Sequence, residues 1–181
     1  MKLQTDRLNF RQVSTEDINN IHQLHSLPET DKFNTLGIPE TIQETEGIIN
    51  EWLVGQNAKP QTSYIFCLDL VDTNQFIGLI ALNIGKPNYK TAEVWYKIHL
   101  DHWRQGYATE ALTKLLDFSF KELKLHRIEA GCAVENIASS KVLEKVGMTR
   151  EGMKRKILPI RGEWKDNYFY AILDEDLLNN K

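Results

Sequence analysis

The run Arg104-Gln105-Gly106-Tyr107-Ala108-Thr109-Glu110-Ala111-Leu112 sets a glycine and small residues where polar residues give way to good helix formers. A helix N-terminus leaves several backbone N–H groups without internal partners and carries a partial positive charge. An anion satisfies both, and a diphosphate can approach only where the side chains are small. Gly106 and Ala108 give that room, Arg104 adds a cation and Thr109 a hydroxyl. Each such contact contributes about 0.3–2 kcal/mol, so several together could hold a pyrophosphate. The run is neither a GxxxxGK[ST] loop nor a GxGxxG turn, and glycine-x-alanine at such a turn also serves packing alone.

The elements that would position this mouth follow from periodicity. LNFRQV, Leu8 to Val13, reads as a short strand. Ser14 with Asp17 and Thr41 with Glu44 are capping signatures, each followed by apolar residues at helical spacing. Pro28 stops the first helix and Gly55 can end the second. SYIFCLDL (Ser63–Leu70) and FIGLIALNI (Phe76–Ile84) are β-rich runs on either side of a VDTNQ hairpin turn. TAEVWYKIHL is a third strand of this group and feeds into the run that opens at Arg104. The next helix puts Ala108, Ala111, Leu112, Leu115, Leu116, Ser119, Phe120 and Leu123 on one face. HRIEAGCAVEN alternates Ile128, Ala130, Cys132 and Val134 as a strand should, SSKVLEKVG is a short helix closed by Gly147, and MKRKILPI and NYFYAILDEDL supply two last strands.

The order is strand, two helices, three strands, helix, strand, helix, two strands. It predicts one α/β (α+β) domain over residues 1–181, a mixed sheet of about seven strands flanked by helices. The strand–helix–strand step from TAEVWYKIHL to RIEAGCAVEN makes those two strands parallel neighbours, and ligands bind at the ends where such strands open.

Composition narrows the class. The 181 residues are 41% hydrophobic and 26% charged, and the net charge of −3 gives no global positive field for nucleic acid. Met1 to Pro60 holds nine acidic against five basic residues, a mild pointer to a cationic acceptor. The N-terminus lacks a signal-peptide pattern, and no apolar run reaches the roughly 20 residues that span a bilayer. Cys67 and Cys132 are far apart in apolar stretches and read as buried and reduced. The histidines lack ligand-like spacing. The expectation is a soluble, cytoplasmic, metal-free protein, a monomer or homodimer with no membrane or nucleic-acid partner.

HLDHWRQGYATEAL, followed thirty residues on by NIASSKVLEKVGMTREG, resembles the GNAT superfamily of N-acetyltransferases. The resemblance is strongest to the branch of the ribosomal-protein N-terminal acetyltransferases RimJ and RimL. It covers essentially the whole chain, from TDRLNFRQV to GEWKDNYFYAIL. One departure is visible: the superfamily loop reads Q/R-x-x-G-x-G/A, and here Trp103 holds its first position.

The resemblance implies the GNAT acyl-CoA fold with acetyl-CoA as cofactor, its pyrophosphate on the backbone of Arg104, Gln105, Gly106, Tyr107, Ala108 and Thr109. It implies that the strand ending at Ile98–Leu100 splays from its parallel neighbour, so that pantetheine bonds the backbone around Ile98 and Leu100. Asn136 matches the residue that holds the pantetheine arm and Ser139 the one near the sulfur, although both types also cap helices. Lys141 could reach the outer phosphate, or simply be an exposed helix lysine.

Acetyl transfer to an amine needs a neutral nucleophile, a polarised carbonyl and a proton for the leaving thiolate. An α-amine is already roughly 15% neutral at pH 7, against about 0.04% for a lysine amine, so a carboxylate acting through water suffices for the former. Glu93 is the first candidate for that base and could equally be a surface strand residue, with Glu135 and Glu163 behind it. A backbone N–H near Ile98 would polarise the carbonyl, and Ser139 would protonate the thiolate. A covalent route through Cys132 lacks a neighbouring base. Glu110 fits the family pattern, or pairs with Lys114; Trp95, Trp103 and Tyr107 read as core or rim aromatics. An N-acetyltransferase acting on a primary amine, as on a protein N-terminus, a polyamine or an amino-sugar, stands against a non-catalytic acetyl-CoA-binding module.

Overall fold

A computed structural model describes residues 3–179. Eight strands form one sheet in the order β1-β2-β3-β4-β5-β6-β8-β7. They are β1 (Leu3–Gln4), β2 (Leu8–Gln12), β3 (Ser63–Leu70), β4 (Phe76–Ile84), β5 (Thr91–Ile98), β6 (Arg127–Ala133), β7 (Thr149–Ile160) and β8 (Glu163–Leu173). Every pairing is antiparallel except β5 with β6. The helices are α1 (Ile18–His25), α2 (Pro28–Asp31), α3 (Ile42–Asn57), α4 (Tyr107–Lys121), α5 (Ile137–Lys145) and α6 (Asp174–Asn179). No helix among the described residues is long and apolar enough to cross a membrane.

The sheet divides the core. On one face the α4 stripe Ala111, Leu112, Leu115 and Leu116, with Leu143 of α5, packs on Val94, Ile98, Ile128 and Ala130. On the other, Ile21 and Leu24 of α1 and Ile49 of α3 cover Ile65, Cys67, Leu79 and Ala81. Each leucine so buried contributes about 1.5–3 kcal/mol. Both cysteines are buried and free.

Several boundaries differ from the sequence expectation. The eighth strand, β1, is two residues long and pairs with Phe10 and Asn9 of β2, too short to leave a periodic signal. Gly55 does not end α3; a Cβ there would lie 2.5 Å from Ser63 Oγ, so the glycine lets the helix press on β3. Pro28 opens α2 after α1 has ended at His25, a first-turn proline whose missing N–H costs nothing. The last strand ends at Leu173, not within DEDL: Asp174, Glu175 and Asp176 form the first turn of α6, where the helix dipole favours acidic side chains. β7 begins at Thr149, four residues earlier than Met153. The Ser14 capping box, the hairpin with Asn74 at φ 54° and the closing Gly147 at φ 90° match the reading.

Candidate active site

β5 and β6 pair over three rungs only, Thr91 with Arg127, Ala92 with Ile128 and Glu93 with Glu129. β5 continues to Ile98 and β6 to Ala133, so a gap opens through the sheet beyond Glu93. The strand stops at Ile98 rather than Leu100, which lies in a 3₁₀ turn, Leu100–His102. The indole of Trp103 donates to the Ile98 carbonyl at 2.7 Å, so this aromatic ties the strand end to the loop behind it.

That loop leads to the mouth of α4. Arg104 and Gly106 both take positive φ, 60° and 84°, and Gly106 caps the helix. A Cβ on Gly106 would find only Arg7 Nη2, at 3.5 Å, so the approach to the first-turn N–H groups is open. The residues fit a pyrophosphate: a left-handed glycine, exposed Arg104, and the unpaired start of a 15-residue helix.

Arg7 braces this mouth. Its Nη1 donates to the Gln105 carbonyl at 3.0 Å, its Nε to Glu110 Oε2 at 2.6 Å, and its guanidinium stacks 4.4 Å from the Tyr107 ring centre. Thr5 Oγ1 donates to the other Glu110 oxygen at 2.6 Å. Burial opposes the Glu110 charge, yet the bonds from Thr5 and Arg7 hold its carboxyl below the usual range. Glu110 therefore belongs to Arg7, not to Lys114.

On the α4–α5 side of the gap, Tyr96 Oη and Ser139 Oγ are 2.9 Å apart. Burial raises the tyrosine's pKa, against the pull of the Ser139 bond, so both hydroxyls keep their protons at neutral pH. Asn136 Oδ1 accepts from Ser139 N–H at 3.1 Å and caps α5, leaving the Ser139 hydroxyl for Tyr96. Lys141 is exposed on α5. Cys132 lies 3.3 Å from Ser140 Oγ, and burial raises its thiol, the opposite of an activated nucleophile.

On the α1–α3 side stand the carboxylates. Glu93 shares the last paired rung with Glu129, which holds Arg127 Nε at 2.8 Å. Although Glu93 is an exposed residue, loss of water around its carboxyl, then the Glu129 charge, raises its pKa. Glu135 and Glu163 converge instead on Lys165, at 3.6 and 2.6 Å.

Further along the same face, Lys97 is only 8% exposed. Burial pushes its ammonium down to about 8, with the nearby Asp31 charge opposing. His25, at the end of α1, is pushed to about 3, by burial first and then by Lys97 and His22, and is neutral at physiological pH. Arg161, in the turn between β7 and β8, reaches Asp31 Oδ2 at 3.3 Å and the Pro28 carbonyl at 2.7 Å. Trp95 lies between the two ends, its ring centre 5.5 Å from that of Trp52 and tilted 42° to it.

The sequence reading singled out neither Arg7 nor Tyr96, Lys97, Asp31 or Arg161. Tyr96 and Lys97 carried a detectable signal: a tyrosine and a lysine inside an apolar strand that leads into the loop. The other three gave none, because their partners are more than one hundred residues away.

A splayed parallel pair beside a left-handed glycine at a helix mouth defines an acyl-CoA-binding transferase. The model of the acetyltransferase (GNAT) domain matches residues 7–149, and the chain belongs to this family. It is 34% identical to the uncharacterized N-acetyltransferase YnaD of Bacillus subtilis, over 97% of this chain and 99% of that one. It is 25% identical to the ribosomal-protein-serine acetyltransferase of Escherichia coli, over 92% and 93% of the two chains. The spermidine N-acetyltransferase of Vibrio cholerae, solved with CoA and spermine, superposes with a TM-score of 0.85 at 25% identity, over 97% of this chain and all of that one. The protein is an acetyl-CoA-dependent N-acetyltransferase.

Proposed function

We propose that the acceptor is a peptide α-amine and that it attacks directly, without an acetyl-enzyme. The observation that carries this reading is the Glu93–Glu129 rung at the apex of the splay, with the Tyr96–Ser139 hydroxyl pair on the opposite side. The amine docks against the carboxylates and gives its proton to Glu93, directly or through water. Acetyl-CoA, when bound, supplies the thioester carbonyl that the amine attacks. A C–N bond forms, the C–S bond breaks, and the Ser139 hydroxyl protonates the departing sulfur. Tyr96 orients that hydroxyl, and the serine regains its proton from water as the products leave. The backbone near Ile98 binds the carbonyl oxygen and, with Leu100 and Asn136, the pantetheine arm. The backbone from Arg104 to Thr109 holds the pyrophosphate, and Lys141 the outer phosphate.

A carboxylate with a raised pKa is a base strong enough for an amine that is already about 15% neutral, and poorly suited to one that is about 0.04% neutral. Among the relatives, both a ribosomal-protein and a spermidine acetyltransferase appear, so the test is a direct competition. Thiol release and product mass should show peptides with free N-termini acetylated at least about tenfold faster than spermidine or an Nα-blocked lysine peptide at pH 7. A faster reaction with spermidine overturns the reading.

A further inference from the structure

Buried polar side chains normally find partners, and each orphan costs about 1–3 kcal/mol, more when charged. Four of the orphaned atoms among the described residues gather on one face near the splay: Lys97 Nζ, Asp31 Oδ1, His25 Nδ1 and Asn167 Oδ1. All four residues are more than nine-tenths buried. Strand geometry says what they surround. Side chains alternate, so Glu93, Trp95 and Lys97 point to the α1–α3 side. Counting on from the Glu93–Glu129 rung, Trp95 faces Gly131 and Lys97 faces Ala133 across the widening gap. Asn167 is the β8 partner of Ala133 and shares its face; a Cβ on Gly131 would lie 2.8 Å from the Asn167 amide. Arg161 crosses this face to the α1–α2 junction, where it meets Asp31 and the Pro28 carbonyl.

This face of the splay is electrically lopsided. One end holds the carboxylates of Glu93 and Glu129, with Arg127 shared between Glu129 and Glu151. The other holds Lys97 and Arg161 against the single carboxylate of Asp31, with His25 neutral. A polyamine would lay a second ammonium beside two cations. An amine that also carries an anion meets opposite charge at both ends.

We infer that Lys97 recognises an anionic group on the acceptor, held apart from the amine that is acetylated by about 10 Å. The inference rests on the amine docking at Glu93 and Glu129. Four strand steps take the chain from Glu93 to Lys97, about 13 Å between Cα atoms, and side-chain reach shortens that span. A third-position acidic side chain on an extended peptide matches it, at roughly 3.3–3.6 Å per residue; so does a small ω-amino acid of equal length. Nζ is closed to solvent here, so entry moves Arg161, which is half-exposed and sits in a turn with Gly162 at positive φ.

The test is calorimetry on the CoA-loaded protein, which needs no turnover. The probes are Ser-Ala-Glu-Phe amide, Ser-Ala-Gln-Phe amide, 8-aminooctanoate and octylamine. The wild-type protein should bind each carboxylate-bearing probe at least about tenfold tighter than its partner without the carboxylate, a difference of about 1.4 kcal/mol. Lys97→Met, close in size and uncharged, should bring each pair within about twofold while CoA affinity is kept. Lys97→Gln serves if the Met variant does not fold. No preference in the wild type, or a preference that survives loss of the lysine, overturns the inference. If 8-aminooctanoate shows the Lys97-dependent preference and no peptide is bound or acetylated, the peptide reading fails and the role of Lys97 stands.

Discussion

The two ends of the site are built in opposite ways. At the mouth of α4, the two charged groups that brace the loop are paired: Arg7 with Glu110 and the Gln105 carbonyl, and Glu110 also with Thr5. On the far face of the splay, Lys97, Asp31, His25 and Asn167 each keep a buried atom unpaired. A paired site holds its shape before the ligand arrives, so binding spends little on ordering. An unpaired one is unstable alone and is relieved by a partner. The cofactor end is thus preorganised, whereas the other end discriminates among ligands, because a buried polar group left unmatched costs more than a matched one returns.

The sharpest way to break the preorganised end is Gly106→Glu. Only Arg7 Nη2 lies within 4 Å of a Cβ there, so the variant should fold. The side chain would bring negative charge to the positive helix end and strain a residue at φ 84° by about 1–2 kcal/mol. CoA affinity should fall by more than about 100-fold in calorimetry. Gly106→Ala separates the causes, losing only the strain, about a tenfold effect.

Glu93→Gln tests the carboxylate rung that divides the two ends. A positioned base contributes about 10²–10⁴-fold, so kcat should fall by that order while CoA affinity holds. In the wild type the rate should rise with pH through the raised Glu93 pKa, since only the ionised form accepts a proton. In the variant the rise should shift to the pKa of the acceptor amine. Unchanged rates from pH 6 to 9 would make Glu93 structural.

The unpaired end predicts a stability signature. Lys97 titrates near 8 in the folded protein and at 10.5 when unfolded, so between those values the unfolded chain binds more protons. The lysine's contribution is most favourable above pH 10.5 and is lost as pH falls through 8. Relative to Lys97→Met, wild-type stability in urea should therefore rise from pH 8 to 10.5, by up to about 3 kcal/mol. A flat difference would mean that the ammonium is solvated.

The contrast also explains what could be read in advance. The mouth of α4 is local: Gly106, Ala108 and the apolar stripe of the helix lie within one stretch of chain, and glycine at positive φ leaves a residue-type signature. The parallel pairing of β5 with β6 followed from the strand–helix–strand rule, and its splay from the family resemblance. Ser139 was legible as a position, but its partner Tyr96 is 43 residues away and came only with the fold. Arg161 and Asp31 are 130 residues apart, and neither residue type is unusual in a polar loop. Gly55 misled because a glycine required for close packing looks the same in sequence as one that ends a helix. Burial, which makes Lys97 informative, is a property of the assembled sheet and helices.

Arg7→Met gives the smallest effect and probes how the paired end stays ordered. The Arg7 side chain is about half exposed, 46%, and exposed ion pairs contribute only about 0–1 kcal/mol to folding. Its melting temperature should therefore barely move. The same side chain holds the Gln105 carbonyl and packs on Tyr107, the residues on either side of Gly106. Without it the loop must be ordered when the cofactor binds, and the KM for acetyl-CoA should rise about tenfold with kcat nearly unchanged. Arg7→Lys should not restore affinity fully, because a lysine cannot make the forked contacts to Glu110 and Gln105 together. Glu110→Gln leaves Arg7 in position with weaker pairing, so its KM should lie between those of wild type and Arg7→Met. If Arg7→Met instead lowers stability and leaves KM untouched, the brace serves the fold alone, and the order at the α4 mouth comes from its own backbone.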